Sequence, residues 1–142
     1  MSTAEVNGEL RILNRVFEED WRSLGFRAAA VPGRKHRSYT WKCATWLNQG
    51  REGSCVGHGF AHELAARPVV RTVNSEMAVH FYREAQKIDS WPGESPTYEG
   101  TSVLAGAQVL TREGFFGEYR WALTMEDLID TVGYRGPIVV GV

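Results

Sequence analysis

The sequence predicts an α+β fold, and three observations predict it. Helix-patterned runs follow one another from Cys55 to about Val132, separated by breaks rich in glycine and proline. A glycine-rich loop, Asn48 to Ser54, opens directly into the first of them. An apolar β-branched run, Ile138-Val139-Val140, then starts after Gly136-Pro137 and reads as a strand. The expected architecture is therefore a helical lobe followed by the start of a β lobe.

Residues 5–24 are expected to be helical. Val6, Leu10, Leu13 and Phe17 recur at helical spacing, with Glu18, Glu19 and Asp20 on the other side. Ala28 to Arg37, with Pro32-Gly33 inside it, reads as a linker. Its basic cluster, Arg34, Lys35, His36 and Arg37, reads as a solvated loop. Residues 1–37 are thus an extension and linker, and 38–142 the folded domain, helical to about 120. Within it, Val56, Phe60, Ala61 and Leu64 pattern the first helix, which Arg67-Pro68 ends because proline disfavours helix at the residue before it. Asn74-Ser75 supplies a cap for the second, whose expected inner face is Met77, Phe81, Ala85 and Ile88. Asp89 to Gly100 is punctuated by Trp91-Pro92-Gly93 and Ser95-Pro96 and reads as a loop. The third helix starts at Thr101 or Ser102 and runs to about Arg112, with Val103, Ala107 and Leu110 inward. Gly114-Phe115-Phe116-Gly117 breaks it. At Thr124 a capping box with Asp127 in the acidic place opens a fourth, with Met125, Leu128, Ile129 and Val132 on one face.

A chain of 142 residues suggests one domain with a modest core. The formal net charge of −1 makes no electrostatic case for nucleic acid or an anionic membrane as partner. No apolar run approaches the roughly 20 residues that span a bilayer. Met1 to Glu9 carries acids and no basic region, unlike a secretory signal. The two cysteines, Cys43 and Cys55, make no disulfide framework, and a catalytic Cys55 has to stay free. A reducing, cytoplasmic setting is expected, and no cofactor.

The chemistry concentrates at Cys55. A thiol in the first turn of a helix sits at the positive end of the helix dipole, which lowers its pKa from about 8.5 and favours thiolate. The glycine loop leaves backbone N–H groups free to face an oxyanion. Gln49, six residues earlier, offers a side-chain donor to the same oxyanion. The plainer alternative is a buried structural cysteine after a glycine turn. Cys43, in an aromatic-rich segment, is expected to be buried and the less reactive thiol.

Gln49-Gly50-Arg51-Glu52-Gly53-Ser54-Cys55 resembles the nucleophile loop of papain-like cysteine peptidases. The resemblance implies a hydrolase in which Cys55 is the nucleophile and Gln49 an oxyanion donor, with Gly53 and Ser54 beside the substrate. Glu52 replaces the disulfide cysteine usual in secreted members and Val56 their tryptophan, which fits bacterial or phage relatives. Glu99-Gly100-Thr101-Ser102-Val103 is similar to the stretch that holds substrate backbone, here through Gly100 and Thr101. Gly136-Pro137-Ile138-Val139-Val140 resembles the family's first β-lobe strand. The resemblance implies that the remaining β half, with the catalytic histidine and its orienting asparagine, is absent from this chain. Residues 138–140 are then expected to add to a β-half partner or to a second copy.

The histidines are His36, His58, His62 and His80. His58 and His62 share a helix with Cys55, but groups radiating from one axis align poorly for proton transfer, so His58 reads as a packed helix residue. Cys43, Cys55, His58 and His62 form an unfamiliar zinc spacing, and no metal is expected. Two other functions stay open: a non-catalytic papain-like binding or assembly module, and a cell-wall peptide amidase.

Overall fold

The computed structural model describes residues 2–6, 9–13, 15–16, 20–90 and 99–141, with side chains from residue 20 onward. The Trp91–Pro96 punctuation and Phe17, Glu18 and Glu19 lie outside the described residues. Four helices dominate: α1 (Cys55–Ala65), α2 (Ser75–Ile88), α3 (Val103–Arg112) and α4 (Met125–Tyr134). Among the described residues, strand is limited to β1 (Ser2–Val6), β2 (Glu9–Leu13), β3 (Arg15–Val16) and β4 (Thr101–Ser102).

Helix starts follow the local chemistry. The side chains of Asn74, Ser102 and Thr124 accept from the backbone N–H of Met77, Ala105 and Asp127. Each satisfies one of the donors that a helix start leaves open. At α4 the box closes, since the Asp127 carboxylate also accepts from the Thr124 N–H.

The core lies where α1, α2 and α3 meet. Phe60 and Leu64 from α1, Phe81 and Ala85 from α2, and Val109 and Leu110 from α3 are buried together. Phe60 meets Phe116 edge-on at 6.0 Å, and Phe81 meets Phe115 at 5.2 Å. Small residues let α1 approach its neighbours: a Cβ on Gly57 would lie 2.1 Å from the Ala78 carbonyl oxygen of α2. The inner face of α2 is rotated slightly from expectation. Ala78 and Tyr82 are buried beside Phe81 and Ala85, while Ile88 is exposed.

The expected helix over 5–24 is replaced by an antiparallel pair, β1 with β2, in register Ser2↔Leu13 and Val6↔Glu9. A 3-10 helix follows at Trp21–Phe26. In sequence, Asn7-Gly8 stands between the two strands, and Asn-Gly is the strongest short hairpin signal. The apolar period was equally readable as Leu10, Ile12 on alternating positions.

The basic cluster is an exposed loop, as expected, but its side chains are engaged with α4. Residues 27–37 lie along α4 and cover its acidic face. Arg27 donates from Nε and Nη2 to the two Asp127 oxygens at 2.7 and 2.9 Å, and the Ala30 N–H donates to Asp127 at 2.9 Å. Arg34 pairs with Asp130 at 3.2 Å, His36 with Glu126 at 2.9 Å, and Arg37 donates to the Gly133 carbonyl. Asp127, Asp130 and Gly133 are therefore the buried face of α4, and Met125 is 68% exposed. The expected apolar face is only half covered.

Ile138-Val139-Val140 is not a strand: no ladder pairing is formed there among the described residues. β-Branched propensity favours a pleated surface only where a neighbouring strand exists to pair with it. The segment instead packs along α1, where Val139 Cγ1 stands 3.4 Å from the position of a Cβ on Gly59.

Asp127 makes one pH prediction. Arg27 first, then the N–H groups of Ala30 and Leu123, hold its carboxyl well below the usual carboxylate range against the opposing effect of burial. A carboxyl depressed in the folded state contributes stability that is full above its unfolded value near 4 and disappears as pH falls through the folded one. Asp127→Asn is expected to be less stable than the parent at pH 7, with the gap closing below about pH 4. Urea denaturation across pH 7 to 3 checks this; a gap of constant size would contradict it.

Candidate functional site

The loop before Cys55 is closed by its own polar groups. Asn48 Oδ1 accepts from the Gly50 N–H at 2.9 Å, and Gly50 takes φ +63°, where a glycine is favoured. Gln49 Nε2 donates to the Glu52 carbonyl at 3.0 Å. Arg83 of α2 holds the Glu52 carboxylate at 3.0 Å, which docks the loop on the helical core. Gly53 and Ser54 are buried at the loop's end, and Ser54 is fully so.

Ser54 is the N-cap residue of α1, yet its side chain makes no capping bond. Its hydroxyl lies 3.1 Å from His58 Nδ1, which also lies 3.1 Å from the Ser54 carbonyl oxygen. So α1, unlike α2, α3 and α4, starts without a capping bond from its N-cap side chain. Cys55 is the first residue of that helix and is half-buried. Its thiol is placed against the backbone N–H groups of Val56 and Cys55 itself.

The expected lowering of the Cys55 pKa is reversed. Burial is the larger influence and pushes the thiol up, while the two N–H groups pull it down. Cys43, expected to be buried, is the exposed thiol; its Sγ lies 3.0 Å from the Thr45 carbonyl oxygen. Of the aromatic neighbours that suggested burial, Tyr39 and Trp46 are exposed, and Trp41 is half-buried, donating from Nε1 to the Val132 carbonyl at 2.7 Å.

Every histidine has a partner other than Cys55. His36 meets Glu126, His58 meets Ser54, His62 Nε2 accepts from the Leu47 N–H at 2.8 Å, and His80 meets Glu113 at 3.0 Å. Among the described residues no group of three or more histidine, cysteine, aspartate or glutamate side chains is placed to hold a metal ion.

Gly100 and Thr101 are built into the core. Gly100 is buried with φ +88°, and its N–H donates to the Tyr82 hydroxyl at 3.0 Å. Thr101 is fully buried, and its hydroxyl donates to Asp89 at 2.5 Å. The Thr101–Ser102 backbone pairs in parallel with Arg15–Val16. An extended peptide seeking that edge therefore meets β3 already there.

Two residues that sequence reasoning passed over matter here. Tyr82 fixes the Gly100 backbone, and Glu63 sits unpaired at the far end of α1. The only sequence signal for Glu63 is its place as a lone acid within Phe60-Ala61-His62-Glu63-Leu64-Ala65. No protein-family model, curated protein or solved structure matches the chain.

Proposed function

We propose that Cys55 is the nucleophile of a papain-like cysteine peptidase, or of a related thiol acyl-hydrolase. One observation carries the reading: Cys55 heads a helix whose N-cap side chain makes no capping bond, so that its thiol meets the first amides, after a loop that holds Gln49. A thiolate there adds to a substrate carbonyl, forming the C–S bond. The oxyanion that develops meets the Cys55 N–H and, once Gln49 turns from the Glu52 carbonyl, its amide. Collapse of the adduct expels the amine, which takes up a proton, and water then hydrolyses the thioester. Gly100 and Thr101 align the substrate backbone after β3 leaves. In this reading α1, α2 and α3 belong to the helical lobe of an α+β fold, α4 and residues 136–140 begin its β lobe, and the protein works in a reducing cytoplasm. A β-half partner or a second copy supplies the strand neighbour for 138–140.

A second reading, a non-catalytic module of the same fold, is favoured by the engagement of all four histidines elsewhere. Alkylation chemistry separates the two. Iodoacetamide follows exposure, so folded protein is expected to label at Cys43 ahead of Cys55. A peptidyl chloromethyl ketone follows binding, and is expected to reverse that order. Val16→Pro, which disrupts the β3 pairing, should raise its rate at Cys55. Peptide mapping reads both. If the peptidyl reagent also prefers Cys43, no substrate site exists at Cys55 and the module reading stands.

A further inference from the structure

The end of α1 opposite Cys55 holds a cavity of about 300 Å³. It lies where the chain leaves three helices: Ala66 follows α1, Phe115 follows α3 and Gly136 follows α4. Leu64, Pro68, Val69, Phe116 and Pro137 give it apolar walls. Two polar side chains interrupt them, Glu63 of α1 and Thr131 of α4. Glu63 Oε2 and Thr131 Oγ1 are both shielded from solvent and both lack a hydrogen-bond partner. Native interiors leave few such atoms, and each one unpaired costs free energy that a matching ligand would recover.

The electrostatics select the sign of that ligand. Three helix C-termini converge on the cavity, and each carries negative partial charge. An ionised Glu63 adds a full negative charge, and the aromatic side chains of Phe115 and Phe116 line the same cavity. Three cationic side chains, Arg67, Arg71 and Arg135, also line the cavity. Arg67 and Arg71 are exposed, and Arg135 is held by Asp130 at 3.3 Å and by the Ala29 carbonyl. The other titratable groups nearby are His62, held toward its neutral form chiefly by burial, and Cys43 across the adjoining groove.

We propose that this cavity binds a primary ammonium group on a short apolar chain, with Glu63 as its counter-ion and Thr131 as a second acceptor. An alkylammonium carries three donors, two of which meet the two unpartnered oxygens, and its methylenes match the apolar walls. The chemistry is shared by a free alkylamine and by a lysine side chain of a peptide. The site is about 12 Å along α1 from Cys55, at 1.5 Å per residue. It stands or falls independently of the peptidase reading.

Burial pushes the Glu63 carboxyl up to about 7. An alkylammonium stays protonated to about pH 10, so between pH 6 and 8 only the protein side changes charge. Butylammonium is therefore expected to bind about tenfold more tightly at pH 8 than at pH 6. Chemical-shift titration of the 142-residue protein, followed at Thr131, Phe115 and Phe116, reads the affinity. Butyrate and butanol serve as size-matched controls. Glu63→Gln should weaken binding about tenfold or more and remove the pH dependence, and Thr131→Val should weaken it less. Nα-acetyl-lysine methylamide, run beside butylammonium, distinguishes the sources: tighter binding assigns the cavity to a peptide lysine, weaker binding to a free amine. Should Glu63→Gln fail to fold, the pH series on the unaltered protein decides. Absence of saturable shifts, affinity independent of pH, equal binding by Glu63→Gln, or preference for butyrate would each overturn the proposal.

Discussion

Gly57→Ala is expected to lose more than about 3 kcal/mol of unfolding free energy, or to prevent folding. A β-carbon at this position would stand 2.1 Å from the Ala78 carbonyl oxygen and 2.9 Å from both the Tyr82 nitrogen and the Tyr82 Cβ. Two of these three atoms are α2 backbone, so no rotamer change relieves the clash. The two helices must move apart, and Phe60, Phe81 and Leu64 then lose contact together. Overpacking ordinarily costs about 1–3 kcal/mol, and a contact with backbone belongs at or beyond the top of that range. Gly59→Ala is the control. Its new methyl group meets only Val139 Cγ1 at 3.4 Å, while alanine gains up to about 1 kcal/mol of helix propensity over glycine. Chemical denaturation of the pair is expected to leave Gly59→Ala near or above the parent and Gly57→Ala far below. A Gly57→Ala protein within about 0.5 kcal/mol of the parent would mean that the α1–α2 crossing is not this close.

The residues that made this crossing were readable in advance, because small side chains at 57, 59, 61, 65 and 66 permit close approach wherever a second helix lies. Caps were readable for the same local reason: Asn74, Ser102 and Thr124 each act on an amide only three residues away. Faces were harder. The inner side of α4 is set by Asp127 and Asp130, whose charges become acceptable there only because Arg27 and Arg34 arrive from about a hundred residues upstream. No window of sequence contains that compensation. The same holds for 138–140, whose β propensity is real but finds no ladder among the described residues, and for 2–6 and 9–13, which pair as strands despite a helical period. At the site, the position of Cys55 at the head of α1 was legible from the glycine loop. Its protonation was not, since burial depends on what packs against the loop rather than on the loop itself.

The 142-residue chain is expected to hydrolyse peptide no faster with Cys55 than with Cys55→Ala. Turnover asks for a group that takes the thiol proton, returns it to the leaving amine and then activates water. Burial already pushes the Cys55 thiol up, so little thiolate forms without such a group. His58 is the nearest histidine in sequence, and its Nδ1 is held between the Ser54 hydroxyl and the Ser54 carbonyl at 3.1 Å each. Turning it toward Cys55 would break both contacts and leave Ser54, which is fully buried, without its hydroxyl partner. His62 is committed to the Leu47 N–H, and His36 and His80 are bound to carboxylates. Among the described residues, then, no histidine is positioned as a base for the proposed nucleophile. A base supplied from solution should restore part of the chemistry. Imidazole is expected to accelerate Cys55-dependent acyl transfer from an activated ester while peptide amide hydrolysis stays at background, because the amine leaving group still lacks a positioned proton donor. Steady-state assays of parent and Cys55→Ala, each with and without imidazole, measure both effects. Cys55-dependent peptide turnover at the roughly 1 s⁻¹ or more of ordinary enzymes would refute the expectation. Ser54→Ala would then test the histidine nearest in sequence: with its hydroxyl tether gone, a catalytic His58 shifts the pH profile of turnover, whereas a structural His58 lowers stability and leaves that profile in place.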